Sequence, residues 1–353
     1  MPRVTVLVTT YNGMRYLRQT LDSVAAQTFR DFELLVVDDG STDGTPELVA
    51  AYPDKRLRFL ATPRNLGVVG ARNFGVSQAR GDYIAPLDHD DLACPTRLAV
   101  QSAYLDAHPG TVAVSAAHTY LGGRFTPKPV LTDPYLLRFH LHLANPLAYS
   151  SLMLRTAILP AIGGFVRPEV ELADDFDLYH RLLAVGTLVQ LPDTLLRYRI
   201  HTQNASLTAE STMVAAAVHV LTPVLIPYLG DRAAEAAALF TTHFGSGRPV
   251  PDTETFRALA DLFDRLIANY PPGSPREQTS LRLLSARLWT FVCARARAAG
   301  HPWAGDYADL FPDPRSSLPR RCALLGAVLM AQTKRVRFRF KNPNERKNTV
   351  RLQ

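Results

Sequence analysis

Residues 83–91 have the sequence YIAPLDHDD, which joins a short apolar run directly to an acidic cluster. The run has the length and composition of a buried strand, and the carboxylates begin where it ends. Carboxylates this close repel one another unless a cation lies between them. Mg²⁺ and Mn²⁺ prefer oxygen ligands, and they bind through one or two carboxylates together with substrate phosphates. The segment therefore predicts a divalent cation site at a strand end, with a solvated acidic turn before the next helix as the alternative.

Outward from this segment, apolar runs alternate with helical patterns through the first 120 residues. Strands are predicted at residues 4–8, 32–37, 56–60, 83–87 and 112–116. Strands separated by helices form a mostly parallel sheet that is covered on both faces. Ligands of such sheets bind beyond the carboxyl ends of the strands. The polar residues that follow the strands, at positions 9–11, 38–39 and 88–91, are therefore expected to meet at one edge.

Two carboxylates also end the second predicted strand, where Asp38 and Asp39 precede a turn rich in glycine and serine. Asp39 could accept hydrogen bonds from a nucleobase or a ribose. Capping of the next helix by Ser41 or Asp43 explains the same turn without a ligand. A phosphatase-type aspartyl nucleophile would require Asp-x-Asp-Gly-Thr after the strand, and residues 38–42 do not have that order.

Two later segments carry further candidates. Residues 172–177 place three aspartates at a predicted helix start, where burial could tune one carboxylate as a general base. Residues 197–201 contain two arginines that could pair with phosphate and His201, which could complete a metal shell. A solvated helix start and a surface strand end are the simpler explanations when each segment is taken alone.

The second half of the chain changes character after about residue 207. Alanine and leucine at helical spacing predict an all-helical appendage over residues 207–317. Its most apolar stretch, residues 213–229, contains Pro223 and Pro227, so we expect a buried pair of helices there and no membrane span.

The charge is uneven along the 353 residues. The chain carries a net +7, of which residues 320–353 contribute +9, so the remainder is −2. A basic segment that also contains Phe338 and Phe340 could rest on an anionic membrane surface. Binding to nucleic acid is the alternative that charge allows, but we do not expect it, and a solvated chain end is the simplest explanation. Three scattered cysteines give neither a disulfide framework nor a zinc spacing and favour a reducing compartment.

Taken together, the segments resemble glycosyltransferase family 2, whose members are inverting enzymes with the GT-A fold. The agreement covers roughly residues 3–206, in order and at normal spacing. It is carried by residues 9–13, 23–28, 37–43, 65–67, 71–75, 87–91, 174–175 and 198–201.

The resemblance implies a role for each matching residue. Four side chains would contact the donor nucleotide or its sugar, and these are Thr9, Tyr11, Asp39 and Asp88. Arg72 would approach the nucleotide or its phosphates, and Asp90 would be the principal metal ligand and contact the donor. Asp175 matches the catalytic base. His201 matches a position that binds the metal or the diphosphate in some members. The family usually has Glu-Asp where this chain has Asp174-Asp175, which puts acceptor contacts in doubt.

The resemblance also implies an overall assignment. Composition and charge predict the helical region over residues 207–317 and a basic tail over 318–353. The resemblance itself predicts a GT-A domain over residues 1–206. It implies metal-dependent transfer from a nucleotide-diphosphate sugar to a glycan or lipid-linked acceptor, in cell-envelope or extracellular polysaccharide synthesis. The expected location is the cytoplasm, with peripheral contact at the inner face of the membrane. A nucleotidyltransferase of similar fold and a non-catalytic sugar-nucleotide-binding protein are the alternatives.

Overall fold

A computed structural model describes residues 1–122, 130–202, 204, 209–307 and 310–311. The basic tail and the segment at 205–208 therefore lie outside the described residues. The chain divides into two compact units, Met1–Thr241 and a second that starts at Thr242. The boundary that the sequence places at residue 206 stays a prediction.

The described part of the first unit is built on an eight-stranded mixed sheet in the order β3-β2-β1-β4-β7-β6-β8-β5. The strands are β1 (Val4–Thr10), β2 (Phe32–Asp38), β3 (Leu57–Ala61), β4 (Tyr83–Asp88), β5 (Leu92–Ala93), β6 (Thr111–Leu121), β7 (Met153–Arg155) and β8 (Thr187–Arg199). The first four strands along that order, β3 to β4, run parallel. The expected α/β sheet is thus confirmed, with antiparallel β7 and β5 added to it.

Helices connect and cover these strands, as the alternation of apolar runs and helical patterns predicts. They are α1 (Leu17–Ala25), α2 (Thr45–Ala50), α3 (Gly67–Gln78), α4 (Arg97–Ala107), α5 (Pro134–Leu141) and α6 (Asp174–Val185). Helix α3 packs against β1 and β2. Its Gly75 lies so near that an added Cβ would come within 2.4 Å of Leu7 and 3.1 Å of Val37. A small residue there lets the helix lie close to the sheet.

The strand register places the polar strand ends side by side. Thr10 on β1 pairs with Asp38 on β2, and Thr9 pairs with Asp88 on β4. Beyond the strands, the backbone N–H of Asp39 donates to the Thr10 carbonyl at 2.8 Å. The three clusters expected at one edge of the sheet therefore do meet there.

Residues 213–229 differ from the sequence expectation. They lie in a single 20-residue helix, α7 (Glu210–Leu229), which contains both prolines and is followed by α8 (Ala233–Phe240). Both prolines are on exposed turns, where water can reach the carbonyls that lose a helical donor. The expected burial is also wrong. Within the described residues, Glu210–Gly245 is long and apolar enough to cross a membrane, and 17% of its most apolar window is buried.

The second unit contains two long helices, α9 (Thr253–Asn269) and α10 (Pro275–Ala298). Their interface is aromatic, with Phe256 and Phe263 from α9 against Trp289 from α10. Helix α10 begins with a capping box in which Ser274 and Glu277 bond each other's backbone N–H groups. These helices confirm the all-helical character predicted for this region.

Gly81 provides a test of how closely the turn before β4 approaches β1. A Cβ at Gly81 would lie 2.4 Å from the Thr5 backbone nitrogen and 2.7 Å from the Val4 carbonyl carbon. Backbone atoms cannot move aside as a side chain can, so we expect Gly81→Ala to lower the free energy of unfolding by about 2 kcal/mol. Urea denaturation would measure this. Gly110→Ala is the matched control, because that glycine also precedes a strand and a Cβ there meets nothing within 4 Å. Equal stability of the two variants would contradict the close approach.

Candidate active site

The turn after β2 is held by its own first carboxylate. Asp38 is 2% exposed and accepts bonds from the Ser41 backbone N–H at 3.1 Å and from its hydroxyl at 2.5 Å. Asp39 Oδ1 accepts from the Thr62 hydroxyl and from the Leu66 N–H, both at 2.9 Å. Asp38 therefore shapes the turn, and Asp39 is fixed where the turn meets the end of β1.

The loop after β1 is tied to the same turn. The Asn12 backbone N–H donates to the Ser41 hydroxyl at 2.8 Å, and the Asn12 side-chain oxygen accepts from the Thr42 N–H at 2.9 Å. Asn12 adopts a φ of 51°, a left-handed conformation that asparagine tolerates better than most residues. Just before it, Tyr11 is 48% exposed, and the preceding residue, Thr10, accepts a backbone bond from the buried Asp39. The two elements form an edge with an accessible ring and fixed polar groups.

The acidic cluster after β4 contains carboxylates with different surroundings. Asp91 is 1% exposed and accepts the Arg199 backbone N–H at 2.8 Å. Burial, followed by repulsion from Asp88 and Asp90, holds the pKa of Asp91 well above its usual range. Asp91 thus ties the cluster to the end of β8 from inside the protein. Asp88 accepts a bond from the Ser150 hydroxyl at 3.1 Å.

Asp90 lies against His201, which is 111 residues away in the sequence. The His201 Nε2 is 2.7 Å from Asp90 Oδ2, and Tyr16 stacks on the imidazole with ring centroids 4.9 Å apart. A carboxylate oxygen and an imidazole nitrogen this close together are suitable ligands for a divalent cation whose other ligands are phosphate oxygens. The described residues contain no group of three side chains arranged for a metal. The pair fits a metal shared with a substrate.

Arg72 joins the acidic cluster to the start of α6. Its guanidinium is 9% exposed, donates to Asp88 at 3.1 Å and pairs with Asp174 through its other terminal nitrogen. It also stacks on the Tyr149 ring, 3.7 Å from the centroid. The two terminal nitrogens of Arg72 are thus directed at protein carboxylates. The contact with the nucleotide that sequence suggests for Arg72 stays a prediction.

The three aspartates of α6 are distinguished by their partners. Asp174 pairs with Arg72, and Asp177, 1% exposed at its side chain, pairs with Arg167 and Arg181. Asp175 forms no ion pair among the described residues and is bonded by the Asn145 amide at 2.9 Å. Burial, together with repulsion from Asp174, raises the pKa of Asp175 to about 6. A carboxyl group with a pKa near neutrality can exchange a proton during a reaction.

Sequence reasoning misses the residues that hold these side chains. Asn145, Tyr149 and Ser150 come from the segment between α5 and β7, the last two from a short 3-10 helix, and no spacing links them to the aspartates. The Asn145-Pro146 dipeptide signals a turn, and that is the one local clue to a fixed side chain there.

Comparison with known proteins bears on the family and the fold. Residues 5–157 match the family model described as "Glycosyl transferase family 2". Residues 5–157 belong to glycosyltransferase family 2. The Staphylococcus aureus protein TarS, solved over residues 1–349 with UDP-GlcNAc, superimposes on this chain with a TM-score of 0.57. The two share 20% identity, over 97% of this chain and 93% of that one, which supports the GT-A fold.

Curated relatives match parts of this chain. The succinoglycan biosynthesis protein ExoO of Rhizobium meliloti is 45% identical over 113 residues, which are 32% of each protein. The putative glycosyltransferase EpsE of Bacillus subtilis is 29% identical over 196 residues, 52% of this chain and 68% of that protein. The chain thus spans about a third of the length of the first relative and about two thirds of the second.

Proposed function

We propose that this protein transfers a sugar from a nucleotide-diphosphate sugar to an acceptor hydroxyl with inversion at the anomeric carbon. The observation that carries the proposal is the position of Asp175. It is the α6 aspartate without a cationic partner among the described residues, and Arg72 joins its neighbour Asp174 to Asp88 at the edge of the sheet. Membership of residues 5–157 in glycosyltransferase family 2 supports the same reaction class.

The donor is proposed to bind across the ends of β1, β2 and β4. Asp39 would accept bonds from the nucleoside, with Thr9 and the exposed ring of Tyr11 beside it. Asp88 would contact the ribose or the donor sugar. This placement supports a nucleotide site because ligands of parallel sheets bind beyond the carboxyl ends of their strands.

Asp90 and His201 are proposed to hold Mn²⁺ or Mg²⁺ together with the donor diphosphate. When bound, the cation supplies positive charge that stabilises the leaving diphosphate. The direct contact between the Asp90 carboxylate and the His201 ring supports the pairing of these two residues.

The proposed reaction is a single displacement. The acceptor oxygen forms a bond to the anomeric carbon as the bond from that carbon to the diphosphate oxygen breaks on the opposite face. The bonding electrons leave with the nucleoside diphosphate, and the acceptor proton moves to Asp175. A raised pKa suits Asp175 to this task, since it accepts a proton more readily than an ordinary aspartate does.

Glycan assembly is the proposed biological context, with a glycan or lipid-linked molecule as acceptor. The partial match to the succinoglycan biosynthesis protein ExoO supports polysaccharide synthesis. A nucleotidyltransferase would release pyrophosphate where a glycosyltransferase releases nucleoside diphosphate, so product analysis separates these two. A non-catalytic binding protein would bind the sugar nucleotide without turnover.

A peripheral contact with an anionic membrane, at its cytoplasmic face, is proposed for the same protein. The net +9 of residues 320–353 supports attraction to anionic lipid. Helix α7 adds a second feature, because residues 211–229 contain no Asp, Glu, Lys or Arg. Its exposed positions Ala215, His219, Pro223 and Ile226 recur at helical spacing along one stripe. An uncharged stripe of this length is unusual on a water-facing helix and suits contact with lipid.

Asp175→Asn tests the base. We expect transfer to fall by at least about 100-fold because the amide cannot accept the acceptor proton, while nucleotide binding changes little. Transfer is measured as nucleoside diphosphate released with acceptor present, and binding by calorimetry. Asp177→Asn is not a suitable control because Asp177 holds two arginines, so Asp231→Asn on the exposed turn after α7 serves instead. Equal loss of transfer and binding in Asp175→Asn would count against the assignment.

Asp90→Ala tests the metal site. UDP, GDP, dTDP and CDP are titrated with Mn²⁺ and with EDTA to find the preferred nucleotide. With Mn²⁺ we expect the variant to bind that nucleotide at least about tenfold more weakly, because one metal ligand is lost. With EDTA the variant and the natural protein are expected to bind alike. Undiminished Mn²⁺-dependent binding in the variant would remove Asp90 from the proposed site.

Vesicle flotation tests the membrane contact. The full chain is expected to float with vesicles that contain phosphatidylglycerol, to float less with pure phosphatidylcholine, and to be released by salt. A chain that ends at Leu318 should lose most of the binding that the full chain shows. Separately, Ile226→Lys in the full chain should bind more weakly than the natural full chain. Equal flotation of the full and shortened chains would contradict a role for the basic segment.

A further inference from the structure

Asn145 joins the segment after α5 to the start of α6. Its side-chain nitrogen donates to Asp175 Oδ2 at 2.9 Å, across 30 residues of sequence. The other carboxylate oxygen, Asp175 Oδ1, accepts the backbone N–H of Phe176 at 2.7 Å. One bond from a side chain and one from the backbone therefore fix the plane of the carboxylate, and each oxygen keeps a lone pair for another donor.

The orientation of the Asn145 amide is itself fixed. Its oxygen accepts the Leu147 backbone N–H at 3.0 Å. A backbone N–H can only donate, so the amide oxygen must face Leu147 and the NH₂ group must face Asp175. The neighbours Ala144 and Leu147 are 8% and 4% exposed, which anchors this turn in the protein interior. The donor that meets Asp175 is therefore in place without any substrate.

The partner of Asp175 is a neutral amide, whereas the other carboxylates of α6 are bonded by arginine. Asp174 pairs with Arg72, and Asp177 pairs with two arginines. An arginine bonded to Asp175 would favour the charged form strongly and make the carboxylate a weaker base. An amide can orient the same oxygen with a smaller effect on proton affinity.

We propose that Asn145 is a positioning residue that aims the Asp175 carboxylate at the acceptor hydroxyl while leaving it basic enough to take the proton. This inference rests on the proposed function, because it gives Asp175 the part of the base. It concerns a residue outside the motifs that carry the family resemblance.

The direction of the pH effect follows from the groups around Asp175. Burial and the charge of Asp174 raise its pKa, while Arg72, the Phe176 N–H and the Asn145 amide lower it. The hydroxyls of Tyr149 and Tyr179 also lie within electrostatic range, and burial raises the pKa of each, so both stay neutral. Loss of the amide bond should therefore raise the pKa of Asp175 further. The base is active when deprotonated, so the acidic limb of the rate profile should move to higher pH.

Two variants test the proposal. Asn145→Ala removes the amide, and Asn145→Asp keeps an acceptor for Leu147 but places a carboxylate against Asp175. The natural protein should lose activity as pH falls below about 6, in line with the pKa of Asp175. In Asn145→Ala we expect kcat at pH 8 to fall about 10- to 100-fold. The acidic limb of its pH–rate profile should move to higher pH by about half a unit or more. In Asn145→Asp the acidic limb should move to still higher pH, because two carboxylates then face each other and raise the pKa of Asp175.

The controls separate positioning from folding and from the proposed function. The donor used is a sugar nucleotide of the base that binds best. Its KM should stay within about twofold of the natural value in both variants. Asn269→Ala, an exposed asparagine of the second unit, should match the natural protein throughout. Thermal melting checks that each variant is folded. If Asn145→Ala does not fold, Asn145→Asp provides the test, because it keeps the acceptor that holds the turn.

The outcomes are distinct. If Asp175→Asn keeps full transfer, the proposed function loses its base whatever Asn145 does. If Asp175→Asn is inactive and both Asn145 variants keep the natural pH profile and kcat, the positioning role is overturned and the proposed function stands. An equal fall in kcat across all pH values, with a parallel rise in donor KM, would indicate a general structural role and would also overturn the proposal.

Discussion

The site depends on one buried charge, the guanidinium of Arg72. It lies between Asp88 at the end of β4 and Asp174 at the start of α6, with the ring of Tyr149 against its face. A guanidinium in this environment loses its water, and the nearby carboxylates, together with Tyr149, more than compensate and keep its pKa raised. Removal of either carboxylate would leave the buried charge with only part of its compensation. The distance between the two halves of the site is therefore set by electrostatics as well as by packing.

The same arrangement explains how neighbouring aspartates can differ. Asp174, Asp175 and Asp177 lie within one turn of α6, yet arginines bond two of them and an amide bonds the third. Helical geometry points successive side chains in different directions, so each meets a different wall of the protein. The shorter side chain at position 174, where the family usually has glutamate, still reaches Arg72. Separate roles thus arise from surroundings and need no difference in residue type.

Much of this fold was predictable because its signals are local or periodic. The alternation of apolar runs with helical patterns identified β1 to β4 and the edge where Asp39 and Asp88 lie, and parallel register brought them together. Asp90 and His201 required the family resemblance, since no local pattern spans 111 residues. Asn145 escaped both approaches because its partner is chosen by the path of an irregular segment. The two prolines of α7 predicted a helix break that is absent, since an exposed turn can also hold proline where water reaches the freed carbonyls.

Gly75 has a consequence that reaches beyond packing. It lies three residues after Arg72 on α3, and the absence of a side chain lets the helix rest directly on Leu7 and Val37. The depth of the helix against the sheet thus determines how far the guanidinium reaches, and Arg72 serves the acidic cluster and α6 together. A substitution that shifts α3 therefore alters the contacts of Arg72 on both sides of the site. Substitutions that change the site should therefore be tolerated best in segments that this helix does not support.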